Sequence, residues 1–314
     1  MRASLCGLVF LAACMGNVPA PGVRADAGAQ PGSDATGATP DGGGSGGITD
    51  GDLNVAWMHG SANCSTNQDP AVQVHAYNAT TYIIRQNKCD TFEAPFVYVL
   101  IGTNRALLLD TGDTTSTALR TTVQGLIGGK PLLVAHTHAH SDHTRGDGTF
   151  SGQPNTTVVA TTIAAVQQAF QIATWPTSQG QLDLGGRVID ALGIPGHEPQ
   201  HIALYDRQTG LLLTGDTLYP GLLFISDWTA YRDSVHRLAQ FASTRTILHV
   251  LGAHIEMTST PKQNYTYGTT YQPNEHVLQL TAAHLVELDA AVQALGATAP
   301  NGPVAHDDFV IDPL

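Results

Sequence analysis

The chain has 314 residues, of which 42% are hydrophobic and only 13% charged, at a formal net charge of −12. That apolar supply fills the core of one large domain or two small ones, and the lack of any Lys or Arg run excludes a protein built to grip a phosphate backbone, so no nucleic-acid partner is expected. Fourteen histidines equal the combined Lys and Arg count of 14, a surplus of the residue that binds metals as a neutral imidazole.

The N-terminus reads as an address. Arg2 precedes the apolar run Ala3 to Ala13, and Leu11-Ala12-Ala13-Cys14 resembles the bacterial lipobox, whose cysteine is lipidated and becomes the mature first residue. Residues 1–14 are therefore expected to be a lipoprotein signal peptide, and the run is too short to span a bilayer as a helix. Residues 15–50, rich in Gly, Ala, Pro and Asp, have almost nothing to bury and are expected to form a disordered tether. The folded domain is expected over 51–314. Such a protein is exported, to the periplasm or the cell surface, and touches a membrane only through its lipid. In that oxidising setting Cys64 and Cys89 are the remaining pair, and a disulfide between them is expected. A loop of about 25 residues would make it worth roughly 3 kcal/mol. Two thiols, or a metal pair, is the other reading.

Within the domain, β-branched and apolar runs at Val72 to His75, Thr81 to Arg85, Phe96 to Ile101 and Ala106 to Leu109 predict successive antiparallel strands. A helix is expected from Thr114 or Thr115 to the Gly128-Gly129 stop, then a strand from Pro131 to Ala135. Thr157 to Ala160 reads as a strand and Ile163 to Ile172 as a helix. Strands follow at Val188 to Ile194, Ile202 to Tyr205 and Leu211 to Thr214, the last two joined by the hairpin signal Asp206 to Gly210. Trp175 to Leu184 and Thr258 to Pro273 read as loops that shape a pocket. A helix is expected at Tyr231 to Ala242, a strand at Thr246 to Leu251 and a final helix from Asn274 to about Ala294. Interleaved strands and helices without a repeat predict two packed sheets with helices outside.

Metal-ligating residue types gather at the strand ends. The run His136-Thr137-His138-Ala139-His140-Ser141-Asp142-His143 leaves a hydrophobic strand. In extended chain, residues two apart share a side about 7 Å apart, so His138 and His140 can turn toward one ion, and Asp142 and His143, past the turn, can face a second. Pro195-Gly196-His197, Gly215-Asp216 and Gly252-Ala253-His254 each place a ligand type directly after a strand, with glycine allowing close approach. His138, His140 and His197 would serve one ion and Asp142, His143 and His254 the other, with Asp216 bridging. Each ion keeps a position for solvent, as in a catalytic site. His249 competes with His254, which follows the strand and has small neighbours. His136 reads as buried behind the ligands and His201 as a pocket or strand-start residue. The other histidines carry no constellation.

These segments, with Leu108-Leu109-Asp110-Thr111-Gly112, resemble the metallo-β-lactamase fold superfamily over roughly residues 70 to 256. The resemblance implies an α+β fold of αββα type, two stacked mixed β-sheets flanked by helices, with a binuclear site along one edge. It implies the same ligand set and makes Asp110 a residue that orients a ligand. A bridging aspartate at 216, where true β-lactamases of this fold have Cys or Ser, is similar to glyoxalase II, lactonases and related ester and thioester hydrolases. Two departures stand out. Thr144-Arg145-Gly146-Asp147 replaces the usual Gly-Gly, and the last helix lacks the basic residues that a glutathione-binding region would show.

The expected cofactor is two Zn²⁺ ions, iron or manganese also suiting the donors. Ions about 3.5 to 4 Å apart would draw the pKa of a shared water toward 7 and hold the hydroxide for attack on a small-molecule ester, thioester, lactone or related substrate. Asp142 would orient this nucleophile and pass a proton to the leaving group. Tyr219, in the turn after Asp216, is expected to reach the substrate. The rival readings are a non-catalytic zinc-binding surface lipoprotein and a β-lactamase or phosphodiesterase type of the same fold.

Overall fold

The structure is a computed structural model that describes residues 47–314; the expected leader, the lipidation position Cys14 and most of the tether lie outside the described residues. Val72–Asn78 (β1), Thr81–Gln86 (β2), Phe96–Ile101 (β3) and Ala106–Leu109 (β4) form an antiparallel meander. The helix Ala118–Ile127 (α1) crosses to Leu132–Ala135 (β5), which runs parallel to β4. The short helices Ser141–Thr144 (α2) and Asp147–Phe150 (α3) precede the parallel edge strand Thr156–Val158 (β6).

After the helix Ile163–Phe170 (α4), a second sheet begins with Gln179–Asp183 (β7), Val188–Gly193 (β8), Ile202–Asp206 (β9) and Leu211–Gly215 (β10), all antiparallel to their neighbours. Leu222–Ile225 (β11) leaves that sheet, the long helix Trp228–Ser243 (α5) follows, and His249–Gly252 (β12) returns parallel to β10. Gln279–Leu280 (β13) closes the edge. The helix Ala282–Leu295 (α6) leads to Val304–Ala305 (β14) and Val310–Pro313 (β15), which pair with β11 in a small third sheet.

Side-chain alternation explains the layering, because the central strands are apolar on both faces. Phe96, Tyr98 and Leu100 point into a core shared with Ile202, Leu204, Leu211 and Leu213 of the facing sheet. Val97, Val99 and Ile101 point the other way and pack with Leu119, Val123 and Ile127 of α1. On the far side, Ala203, Tyr205 and Leu212 pack with Tyr231, Val235 and Leu238 of α5 and Leu285 and Leu288 of α6. The result is the αββα sandwich that the sequence predicts.

Several boundaries differ from expectation. The last helix starts at Ala282, because Gln279 and Leu280 are spent pairing with Leu251 and Val250 and the Thr281 amide donates to His284 Nδ1 at 3.0 Å. Helix α1 starts at Ala118, and the stretch read as a loop at Trp175 to Leu184 contains β7, which buries only Gly180 and Leu182. Strands β11, β14 and β15 are absent from the sequence reading. Cys64 and Cys89 form a disulfide with Cα atoms 5.1 Å apart, tying the turn after β2 to the segment before β1.

At the end of the sandwich away from Asp110, Arg187 joins the two sheets. Its guanidinium donates to Thr80 O and Thr81 Oγ1, both at 2.7 Å, and to Asp206 Oδ1 at 3.2 Å, and arginine and aspartate are both buried.

Candidate metal centre

Strand direction brings the ligand types together. β4 is parallel to β5, β10 is parallel to β12, and β8 lies two antiparallel pairings from β10. The residues that follow these strands, Asp110, His136 to His143, His197, Asp216 and His254, therefore emerge along one edge. Glycine matters here for packing of loop on loop. A Cβ at Gly215 (φ 52°) would lie 2.6 Å from His201 Nε2, and one at Gly196 (φ 143°) would lie 2.4 Å from Tyr231 Cα.

The side chains form two groups, His138 with His140 and His197, and Asp142 with His143, Asp216 and His254, each with ligand atoms within 4.8 Å of one another. In the first, His138 Nε2, His140 Nδ1 and His197 Nε2 make a triangle with sides of 3.0, 3.0 and 3.1 Å. Each group takes members from both sheets. In the second, Asp142 Oδ2 lies 3.0 Å from His143 Nε2 and 3.3 Å from His254 Nε2. Asp216 stands between the groups, its Oδ2 at 3.7 Å from His197, 3.8 Å from His138 and 3.5 Å from His143, and its Oδ1 at 3.5 Å from His254.

Hydrogen bonds on the outer nitrogens aim the lone pairs inward. Asp110, in left-handed backbone at φ 68°, accepts from the Thr137 amide at 2.8 Å, from Thr137 Oγ1 at 2.9 Å and from His143 Nδ1 at 2.9 Å. Because Thr137 Oγ1 gives its proton to Asp110, it accepts from His138 Nδ1 at 3.1 Å. His197 Nδ1 donates to Phe224 O at 2.7 Å, and His140 Nε2 faces Glu198 Oε1 at 3.1 Å. His254 Nδ1 approaches Glu93 O at 3.4 Å. The nitrogens of the first triangle are thus three acceptors in mutual contact, an arrangement that a cation at its centre would satisfy. In the second group, the buried His143 Nε2 and Asp216 Oδ1 have only these close approaches and no well-aligned hydrogen bond among the described residues. Tetrahedral nitrogen ligands at 2.0–2.1 Å from an ion stand about 3.3 Å apart, so the donor set fits a divalent metal.

Without a cation, protons balance the charge. Burial opposes a charged His254, but Asp216 and its hydrogen bond to Asp142 outweigh this and push its pKa up to about 9. His143 is likewise raised against its burial by Asp216, Asp110 and Asp142. His138, buried and surrounded by other imidazoles, is held well below the usual range. Burial works against charge on Asp142 and Asp216 too, yet the adjacent His143 and His254 rings hold both carboxyls well below theirs.

The profile of the Metallo-beta-lactamase superfamily matches residues 90–248, which takes in every one of these segments except His254. The chain belongs to this superfamily. It is 26% identical over 204 residues to a hydroxyacylglutathione hydrolase of Dechloromonas aromatica, covering 64% of this chain and 71% of that one. It is 32% identical over 132 residues to a hydroxyacylglutathione hydrolase of Anaeromyxobacter dehalogenans, covering 40% and 46%. An acyl-coenzyme A thioesterase of Gallus gallus matches at 26% over 167 residues, 41% and 58%. Among solved structures, a metallo-beta-lactamase from Pontibacter korlensis superposes with a TM-score of 0.50 at 16% identity, over 71% of this chain and 99% of that one.

The remaining expectations for this superfamily member meet the structure as follows. Tyr219 lines the cavity over the ligand groups, but its hydroxyl donates to Leu222 O, with Glu256 Oε2 beside it at 3.2 Å, so a ring packed at 5.5 Å from the His254 ring faces the ligands. His249 opens β12 and is remote from the groups, its nearest charged neighbour being Asp50. His136 Nε2 bonds Asp147 Oδ1 at 2.8 Å, and the His201 ring stacks on His138 at 4.7 Å. The sequence reading missed Thr137, Glu198, Glu93 and Glu256. Glu198 directly follows His197 and was open to notice; the other three carry no local mark.

Asp110→Ala frees both His138 and His143 from their orienting chain and should weaken zinc affinity by about 10- to 100-fold, measured by competition with a chromogenic chelator. Metal uptake must displace the Nε2 protons of His143 and His254, so calorimetry in buffers of different ionisation enthalpy should show about two protons released per chain near pH 7, fewer above pH 9. The same shifts set the stability of the metal-free protein. Raised His254 and His143 stabilise it fully below about pH 6.5, His254 loses its contribution as pH climbs through about 9, and the depressed carboxyls contribute above about pH 4. Its Tm should therefore fall between pH 6.5 and 9.

Proposed function

We propose that this protein is a binuclear metallohydrolase, suited to zinc, that cleaves an ester, thioester or lactone bond of a small molecule. The observation that carries the reading is the pair of converging donor sets, with Asp216 between them, opening on a cavity of about 380 Å³ lined by Glu93, His140, Asp142, His197, Asp216 and His254. A closed structural metal site has no such opening. The names of the relatives, hydroxyacylglutathione hydrolase and acyl-coenzyme A thioesterase, favour an acyl group transferred to water from a thioester.

His138, His140 and His197 would hold one ion, and Asp142, His143 and His254 the other, with Asp216 shared. When bound, such ions supply Lewis acidity and an acidified water. The chain supplies the rest. Asp110 and Thr137 fix two imidazoles in the tautomer that offers Nε2. Asp142, mostly buried but open to the cavity wall, is placed to orient water, accept its proton and return it to the departing oxygen or sulfur. The Tyr219 ring excludes water behind His254.

Elemental analysis of the purified protein, with a panel of esters, thioesters, lactones, β-lactams and phosphodiesters offered to the zinc-loaded form, tests the reading. Two ions per chain and turnover of a carboxylic or thioester substrate are expected; no bound transition metal, or turnover confined to phosphodiesters or β-lactams, overturns it. We also propose export as a lipoprotein anchored at Cys14, a reading that the Cys64–Cys89 disulfide supports. Radiolabelled palmitate should enter the protein and be lost in Cys14→Ala.

A further inference from the structure

Beside the metal-ligand cleft, and sharing Glu93, Glu256 and Tyr267 with its wall, lies a recess of about 30 Å³. No ligand of the proposed metal centre lines it. Two carboxylates do, Glu93 and Glu256. Glu256 Oε2 accepts from the Leu222 amide at 2.9 Å and lies 3.2 Å from the Tyr219 hydroxyl, while Oε1 has no hydrogen-bond partner among the described residues. Gln272 lines this recess and a neighbouring one; only 5% of it is exposed, and its buried Oε1 has no hydrogen-bond partner among the described residues. An unpaired buried amide oxygen costs about 1–3 kcal/mol unless something donates to it. The rings of Phe92 and Tyr267, edge to face at 4.9 Å, complete the opening.

The one cation in this wall is Lys88, whose ammonium donates to Phe92 O at 2.8 Å. The neighbouring Arg85 is committed to Glu275 and to Met58 O. Two carboxylates against one ammonium leave an acidic surplus, joined by an amide acceptor and by two π faces that attract cations. Apart from Lys88, whose ammonium is turned to Phe92 O, these features favour a hydrogen-bond donor with positive charge. Size narrows the class further, since a recess of this volume has room for about two water-sized groups. A CH₂–NH₃⁺ end fits, and a trimethylammonium head does not.

We propose that this recess is a subsite for a primary ammonium group, and that Glu93, Glu256 and Gln272 thereby select amine-bearing substrates. The assignment of the ammonium to a substrate rests on the hydrolase reading above; the binding site itself does not. The carboxylates would each take one N–H and Gln272 Oε1 a third, matching the three donors of an ammonium.

The protein as isolated, isotope-labelled for NMR, is titrated with n-butylammonium, n-butanol and tetramethylammonium. Butylammonium should shift the Gln272 side-chain amide and the Gly268 backbone amide, with an affinity at least tenfold above that of butanol, and tetramethylammonium should leave both unmoved. Glu93→Gln combined with Glu256→Gln should erase the tenfold preference. Equal response to butylammonium and butanol, or shifts that avoid Gln272, overturn the subsite, and this comparison on the unsubstituted chain stands even should the double variant fail to fold. Failure of the hydrolase reading shows separately, as no turnover by the zinc-loaded protein with the ammonium titration intact.

Discussion

Replacing Asp142 with Asn should lower turnover of the zinc-loaded protein by about 10²- to 10⁴-fold, the range lost when a positioned proton-transfer group is removed. The amide keeps the size of the side chain and one oxygen for an ion, but it cannot accept a proton from water at neutral pH. Asp142 Oδ2 stands 3.0 Å from His143 and 3.3 Å from His254 at the cavity wall, so those rings should stay in place. Metal content at saturating zinc should then fall by less than one ion per chain, read by elemental analysis alongside kcat/KM. A variant that loses metal and turnover in the same proportion would make Asp142 a ligand and nothing more. Unchanged turnover would remove it from the chemistry, and a protein that merely stores zinc would show no turnover to lose.

Arg187→Ala should cost about 3–5 kcal/mol of stability and leave the metal centre intact. Removing one partner of a buried ion pair strands the other, here an Asp206 carboxylate with no exposure to solvent. Thr80 O and Thr81 Oγ1 of the opposite sheet lose their donor in the same stroke. The urea midpoint should drop accordingly, while zinc stoichiometry stays unchanged because the break lies at the end of the strands away from Asp110. A shift below about 1 kcal/mol would mean that water enters and solvates Asp206.

How far the sequence speaks for the molecule depends on whether a residue acts through its neighbours in the chain. His138 and His140 sit two apart just past β5, in a bend and not in the extended chain that the spacing suggests, and His197, Asp216 and His254 each follow a strand and a glycine, so their convergence can be read without coordinates. The central strands announce themselves because both faces are apolar. Thr137 is different: its value lies in standing between Asp110 and two imidazoles, and nothing beside it marks a hydroxyl that relays orientation. Glu93 and Glu256 come from loops 163 positions apart and meet only through the fold. The missed strands are short or polar at the surface. β7 shows solvent three of its five residues, and β11 exists because Val310–Pro313 returns to pair with it. The sequence places the start of the final helix too early because Asn274 to Leu280 contains no proline or glycine to stop it, while strand pairing with β12 outcompetes helix formation there.

That each donor group draws on both sheets has a kinetic corollary. His138 and His140, or Asp142 and His143, offer only half a coordination sphere until the second sheet arrives with His197, Asp216 and His254. A cation therefore cannot template either half of the polypeptide by itself; it locks them together once they have met. Each ion would act as a rivet across the seam, slowing the parting of the halves far more than it hastens their meeting, and a loaded protein should outlast a stripped one under proteolysis at temperatures where both are folded.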